Sequence, residues 1–150
     1  MAAVRQGKTI PANLQLPIIG VVPDRLVVTP DTVGKNGEAL YVVGKYGNTT
    51  KFTLGNYSGM KAYTCTEFGL ETSEVAVYNA KKSPGDFSAK GDSGSLIFTG
   101  DGLGLAILHS GMARETHNHV TYGTPLWWIF KQLLDRYPYA EFCGIEYTLE

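Results

Sequence analysis

Near the middle of the chain lies the stretch Lys90-Gly91-Asp92-Ser93-Gly94-Ser95, which the apolar run Leu96-Ile97-Phe98 follows. Glycine adopts backbone angles that other residues avoid and lets a second molecule approach closely, so this stretch predicts a tight turn that presents the Ser93 hydroxyl. If the turn curls tightly, the backbone N–H groups of Gly91 and Ser93 point to one spot beside that hydroxyl. Fixed donors at such a spot form an oxyanion hole, which stabilises the negative charge that develops during acyl transfer. The stretch therefore predicts a nucleophilic serine.

Short apolar segments alternate with turn signals on both sides of this stretch. The candidate strands are separated by turns rich in Gly, Asn and Asp and span residues 39–45, 50–55, 60–66, 72–78, 95–99, 103–109 and 120–124. This spacing is typical of an all-β barrel or sandwich. One α-helix is predicted after the last strand, with Thr124 as its N-cap, Pro125 as its first residue and Pro138 ending it.

Composition excludes several classes of function. The 150 residues are 43% hydrophobic and 18% charged, as expected for a folded domain with a real core. The net charge is −1, so the chain has no excess of basic residues, and we expect no nucleic-acid partner. No apolar run approaches the roughly 20 residues that span a bilayer, so no membrane association is expected. The sequence as written lacks a signal-peptide core, which predicts a cytoplasmic location with Cys65 and Cys143 as free thiols.

Further motifs follow one another in a characteristic order. Residues 87–95 contain the serine turn, a Gly-Asp-Gly turn occupies 100–102, Leu105-Ala106-Ile107-Leu108-His109-Ser110-Gly111 follows, and Val120-Thr121-Tyr122-Gly123-Thr124-Pro125 opens the helix. In this order, residues 39–137 resemble the second half of the chymotrypsin-like (trypsin-like, PA clan) serine proteases, and bacterial members in particular. The resemblance implies a six-stranded antiparallel Greek-key β-barrel with one C-terminal α-helix. An irregular arm with short edge strands (1–38), including 26–29, would precede the barrel, and a tail (138–150) would follow it.

The resemblance also assigns roles to the turn. Ser93 would attack the peptide bond and form an acyl-enzyme, the N–H groups of Gly91 and Ser93 would form the oxyanion hole, and no cofactor is implied. Asp92 would lie below the turn, where the family neutralises this carboxylate with a buried positive group, often a freed N-terminus. Because a buried charge must be paired, Arg25, Lys45 or backbone donors are the candidate partners here.

Substrate selection is predicted from four further residues: Phe87, His109, Ser110 and Gly111. In the family, the strand equivalent to 105–111 runs beside the substrate and forms a wall of the specificity pocket, and Phe87 corresponds to the base of that pocket. The run Leu108-His109-Ser110-Gly111 resembles that of bacterial proteases that cleave after glutamate, whose histidine contacts the substrate carboxylate. An acidic or amide side chain is therefore expected in the pocket. The alternative for His109 is a buried strand histidine satisfied by the backbone.

The base that a serine nucleophile requires is the missing part. In the family a histidine and an aspartate precede the serine, whereas His109, His117 and His119 all follow Ser93. We therefore expect a half-protease, inactive or barely active alone, that another polypeptide or an upstream segment completes. A half-barrel also leaves an apolar face, which predicts self-association as a homo-oligomer.

Four alternatives stay open. The domain would be a catalytically inactive module that binds extended peptides or a partner protein along 105–111 by backbone pairing, or a truncated product without a selected function. His117 or His119 would form a rearranged dyad with Ser93. The same two histidines, on one face of an extended segment, would bind a metal; without a further ligand cluster, two exposed loop histidines and no metal site are the expectation.

Overall fold

A computed structural model describes residues 16–65, 67–69, 71–80, 85–112 and 119–148, together with the backbone of residues 5–6. The elements are, in chain order, β1 (Arg5–Gln6), β2 (Gly20–Val21), α1 (Asp24–Val28), β3 (Thr32–Val33), β4 (Tyr41–Gly47), β5 (Lys51–Tyr57), β6 (Lys61–Cys65), β7 (Glu71–Asn79), β8 (Leu96–Thr99), β9 (Leu103–Gly111), β10 (Val120–Pro125) and α2 (Leu126–Arg136). None of the helices in this described part of the chain is long and apolar enough to span a bilayer.

Six strands close into an antiparallel barrel. Around the ring their order is β4, β5, β7, β10, β9 and β8, and β8 pairs with β4 again. This is a Greek-key order, because three consecutive barrel strands lie side by side and β8 then returns to the far edge of β4. Among the described strands β6 pairs with β7 alone, and it lies outside the ring. The predicted barrel with its C-terminal helix is confirmed.

The barrel core follows from alternation along these strands. Every second side chain of a strand points inward, and the inward positions carry mostly branched apolar residues, which suit a pleated, packed surface. Fully buried examples are Val43, Val75, Val77, Ile97 and Leu105.

A second cluster fixes the C-terminal helix. Leu126 and Phe130 of α2 pack against Val21, and the rings of Phe130 and Phe142 stack with centroids 3.8 Å apart. The N-cap prediction was wrong: α2 begins at Leu126 after Pro125, with no side-chain cap, because Thr124 is still paired in the sheet with Ile107 of β9.

The segment before the barrel contains a short helix where a strand was predicted. Residues 26–29 were expected to be extended, but Asp24–Val28 form α1, in which the N–H of Val27 donates to the Pro23 carbonyl. A helix end leaves carbonyl groups without partners, and a buried one must be satisfied. Tyr57 of β5, itself fully buried, donates its hydroxyl to the carbonyl of Val27 at 2.6 Å.

This tyrosine predicts a loss of stability in alkali. Burial, and then the nearby Asp24 carboxylate, raise the pKa of Tyr57 well above its ordinary value. A group whose pKa is raised by folding contributes stability that is complete below its unfolded pKa of about 10 and is lost as the pH rises further. We expect Tyr57→Phe to cost about 1 kcal/mol at neutral pH through the lost hydrogen bond. The difference from wild type should shrink above a pH of about 10.

Urea unfolding at a series of pH values measures both effects. Tyr139→Phe is the matched control, because Tyr139 is 97% exposed and its variant should follow wild type throughout. A gap between wild type and Tyr57→Phe that stays constant into the alkaline range would contradict the prediction.

Candidate active site

The serine turn is held by hydrogen bonds within itself and to β9. Gly91 and Gly94 have φ angles of 101° and 88°, in the left-handed region that favours glycine. The N–H of Asp92 donates to Ala89 and that of Ser95 to Asp92, both at 3.1 Å. Two further bonds dock the turn: Gly94 N–H donates to the Leu108 carbonyl at 2.7 Å, and Leu108 N–H donates to Ser95 at 3.0 Å. Ser93 is therefore exposed on a rigidly attached turn.

The two predicted oxyanion donors remain unengaged in this turn. No group of the described residues accepts a hydrogen bond from the N–H of Gly91 or Ser93, although the neighbouring N–H groups of Asp92 and Gly94 are both bonded. Backbone N–H groups without an internal partner must find water or a ligand.

Asp92 anchors the turn from below and is completely buried. Its carboxylate accepts four hydrogen bonds: from the N–H of Thr49 (2.8 Å), of Thr50 (3.1 Å) and of Ala89 (2.9 Å), and from the Thr50 hydroxyl (2.6 Å). Lys45 Nζ, equally buried, lies 3.7 Å from Asp92 Oδ2. Of the candidate partners, Lys45 and the backbone donors are present, whereas no hydrogen bond or ion pair of Asp92 involves Arg25.

Opposing effects set the charges of this pair. Burial alone would raise the pKa of Asp92, but the hydrogen bonds from Thr50, Ala89 and Thr49 outweigh burial and hold that pKa well below its usual range. Burial lowers the pKa of Lys45, and the adjacent carboxylate partly offsets this effect. The lysine also donates to the Thr50 hydroxyl and to the carbonyl of Lys51, so every charged atom has polar neighbours.

Two glycines allow this close packing. A Cβ at Gly47 would overlap the Asp92 carboxylate, and a Cβ at Gly91 would overlap the Thr49 hydroxyl. Thr49 in turn donates that hydroxyl to the carbonyl of Lys90 at 2.7 Å. The β4–β5 hairpin therefore packs directly against the serine turn.

The described histidines are not arranged as bases for Ser93. Ser93 Oγ donates to the backbone carbonyl of His109 at 3.3 Å, and no described imidazole is hydrogen-bonded to it. The His109 ring instead lies with Nε2 3.0 Å from Oε2 of the buried Glu74. His117 lies outside the described residues. His119 was expected to be exposed in a loop, but it is 5% exposed, because it directly precedes β10 and its side chain faces inward.

A cavity of about 630 Å³ opens beside Ser93. His109, Ser110 and Gly111 line it, together with Ser88 and His119. Phe87 does not line it: its ring is 1% exposed, belongs to the barrel core and lies under Lys45 Nζ at 5.5 Å. Over the described residues, no three His, Cys, Asp or Glu side chains lie together as a metal site would require.

Sequence reasoning missed the polar floor of this cavity and the threonines below the turn. Ser88 and His119 form this floor, and the buried Thr121 supports it, with its hydroxyl oxygen 2.6 Å from that of Ser88. A signal was present for the floor, because His119 and Thr121 share one face of an extended segment and both are polar. Thr49 and Thr50 gave no such signal, since they lie more than 40 residues from Asp92.

Comparison with known families decides the assignment. The sequence pattern of peptidase family S64 matches residues 25–133, which include the whole barrel and most of α2. The chain belongs to peptidase family S64. Among solved structures, this S64 domain is similar to a chymotrypsin from Cellulomonas bogoriensis, with a TM-score of 0.51 and 16% sequence identity.

That similarity covers 81% of the S64 domain and 52% of the chymotrypsin. The domain therefore spans about half the length of the chymotrypsin it matches, and the likeness confirms the predicted chymotrypsin-like protease fold. A comparison with curated protein sequences finds no match.

Proposed function

We propose that this domain is the nucleophile-bearing half of a serine endopeptidase. Ser93 attacks the substrate carbonyl and forms the acyl-enzyme, and the N–H groups of Gly91 and Ser93 stabilise the oxyanion. The observation that carries the proposal is the serine turn itself. Its N–H groups at positions 91 and 93 have no partner among the described residues, while the buried Asp92 and its four hydrogen bonds hold the backbone between them.

The edge of β9 supports a role for an extended peptide. At Ala106 and Ile107, β9 pairs with β8 on one side and with β10 on the other, whereas among the described residues Ser110 and Gly111 pair with β10 alone. The open edge faces the nucleophile, as the contact between the His109 carbonyl and Ser93 Oγ indicates. A peptide that adds to this edge as a strand brings its scissile bond to Ser93.

The catalytic base comes from outside the described residues in this proposal. Ser93 Oγ has no described imidazole within hydrogen-bond reach, and the domain matches about half of a chymotrypsin. A polypeptide partner or another segment of the chain supplies the histidine, which contributes about 10²–10⁴-fold to such reactions.

The test is labelling with a fluorophosphonate probe, read by intact mass, with and without free imidazole. We expect little adduct on the domain alone and an increase of about tenfold with imidazole, which acts as an external general base beside Ser93. Ser93→Ala should give no adduct. Pyrazole, a ring of the same size but a much weaker base, should give no increase.

Two outcomes would contradict the proposal. Rapid Ser93-dependent labelling without imidazole would mean that this chain already contains the base. Complete absence of the adduct on folded protein, even with imidazole, would mean that Ser93 is not a nucleophile. In that case the open edge of β9 favours the second candidate function, a catalytically inactive module that binds extended peptides.

A further inference from the structure

We propose that His119 determines which peptide side chain the cavity beside Ser93 accepts, and that it selects a side chain ending in a carboxamide or carboxylate oxygen. The inference rests on the proposed function to the extent that a peptide lies along β9. It does not require Ser93 to react.

The polar floor, formed by Ser88 and His119 and supported by Thr121, is the first argument. Ser88, Thr121 and His119 are 3%, 0% and 5% exposed, so all three are deeply buried. Ser88 Oγ lies 2.6 Å from Thr121 Oγ1 and 3.4 Å from His119 Nε2. A buried group of this kind is costly unless its donors and acceptors are used.

The imidazole has one nitrogen without a partner. His119 Nδ1 is buried, and no described residue offers it a hydrogen bond. A buried N–H without an acceptor is rarer than a buried acceptor without a donor, so we assign the proton to Nε2. Nε2 then donates on the side of Ser88 and Gly111, where the cavity lies.

The charge of the cavity agrees with this assignment. Its lining, within the described residues, contains Lys90 and two histidines and no Asp or Glu. A cationic side chain would therefore meet donors and positive charge. An apolar side chain would offer no acceptor to Nε2, whose contact with Ser88 Oγ is long at 3.4 Å, and this discriminates against it. An oxygen acceptor satisfies Nε2.

Access to the floor depends on Gly111. A Cβ at this position would lie 3.3 Å from His119 Nε2 and 3.4 Å from Ser88 Oγ, in the space that a ligand atom needs. Without a side chain, Gly111 leaves the floor open to a group that enters beside β9.

The other cavity histidine lies beside a carboxylate that does not line the cavity. His109 Nε2 lies 3.0 Å from the Glu74 carboxylate, and the His109 side chain is 41% exposed. The resemblance gave His109 the role of reading the substrate side chain; the contacts on the floor of the cavity point to His119.

The experiment is an NMR titration of the ¹⁵N-labelled 150-residue chain carrying Ser93→Ala, which separates binding from chemistry. The probes are N-acetyl tetrapeptide amides that differ only in one side chain: Gln, Glu, Met or Arg. We expect the Gln or the Glu peptide to bind about tenfold more tightly than the Met peptide of similar size, and the Arg peptide to bind weakest. If the Gln peptide binds more tightly than the Glu peptide, the cavity selects a carboxamide; if the Glu peptide binds more tightly, it selects a carboxylate.

The same substitution at both histidines provides the matched control. His119→Leu should bring the ratio of the Gln (or Glu) affinity to the Met affinity close to one, and His109→Leu should leave that ratio unchanged. Circular dichroism and the unfolding midpoint verify that each variant is folded. If His119→Leu does not fold, Ser88→Ala tests the same floor and should lower the ratio several-fold.

Three results would overturn the inference: a wild-type cavity that prefers Met or Arg, no binding of any probe, or a ratio that collapses in His109→Leu and persists in His119→Leu. The proposed protease function is tested by a different measurement. It fails if Ser93 is not labelled in the presence of imidazole. The labelling result does not affect the test of the peptide preference.

Discussion

Replacing Asp92 with alanine should lower the free energy of unfolding by about 3–5 kcal/mol, the range found when one member of a buried ion pair is removed. The substitution leaves the ammonium group of Lys45 buried without its counter-ion. It also removes the acceptor of three backbone N–H groups and of the Thr50 hydroxyl. Urea unfolding followed by tryptophan fluorescence measures the loss.

Two comparisons make this result specific. Asp135→Ala removes an exposed carboxylate from α2 and should change stability by no more than about 0.5 kcal/mol. Lys45→Met in the Asp92→Ala background removes the uncompensated charge, so the double variant should be more stable than Asp92→Ala alone. Strict additivity of the two substitutions would show that the pair is not coupled.

The stabilisation by Asp92 also has a defined pH dependence. Folding lowers the pKa of this carboxyl, so its contribution is complete above the unfolded value of about 3.9 and is lost as the pH falls towards the folded value. The gap between wild type and Asp92→Ala should therefore narrow in acid. A gap that is unchanged from neutral pH to strong acid would contradict the assignment.

Replacing Gly91 with alanine should cost about 2–4 kcal/mol, because it combines backbone strain with the loss of a hydrogen bond. The φ of 101° is unfavourable for any residue with a Cβ, and that Cβ would overlap the Thr49 hydroxyl. If Thr49 turns away, it gives up its bond to the Lys90 carbonyl. The displaced turn should also reduce imidazole-dependent labelling of Ser93.

A neighbouring glycine separates the two effects. Gly94 has a similar φ of 88°, but a Cβ there would meet no atom, so Gly94→Ala should show only the strain of about 1–2 kcal/mol. Thr49→Ala should partly rescue Gly91→Ala, since it removes the overlapping oxygen, and should destabilise wild type. Equal losses in Gly91→Ala and Gly94→Ala, without rescue, would rule out the overlap.

The sequence was sufficient for the barrel because strand and turn signals are local. Runs such as Val42-Val43 and Val75-Ala76-Val77, bounded by glycine and asparagine, predicted strands within a few residues of their observed bounds. The helix α1 was not predictable in this way. It depends on the burial of Val27 and on a hydroxyl from Tyr57, 30 residues away.

The candidate site was predictable from the sequence to a similar extent. The order of glycines around Ser93 indicated the turn, and the family resemblance indicated that Asp92 needed a partner. The choice of Lys45 over Arg25 required the β4–β5 hairpin to be placed under the turn. Phe87 was expected at the base of the pocket but is buried in the core, and His119 was expected in an exposed loop but is buried beside the cavity. Which way a side chain turns changes with each residue of an extended segment, so the sequence alone did not fix either position.

Lys45 has a consequence for how such a site is controlled. It is an internal residue of a barrel strand, so the counter-ion of Asp92 is built in as soon as the barrel folds. Formation of the serine turn therefore does not wait for a newly cut amino terminus to fold inward, as it does where a freed N-terminus neutralises this carboxylate. In the proposed half-protease, trimming of the amino terminus would leave the neutralisation of Asp92 unchanged, and control would rest on the encounter of Ser93 with its base.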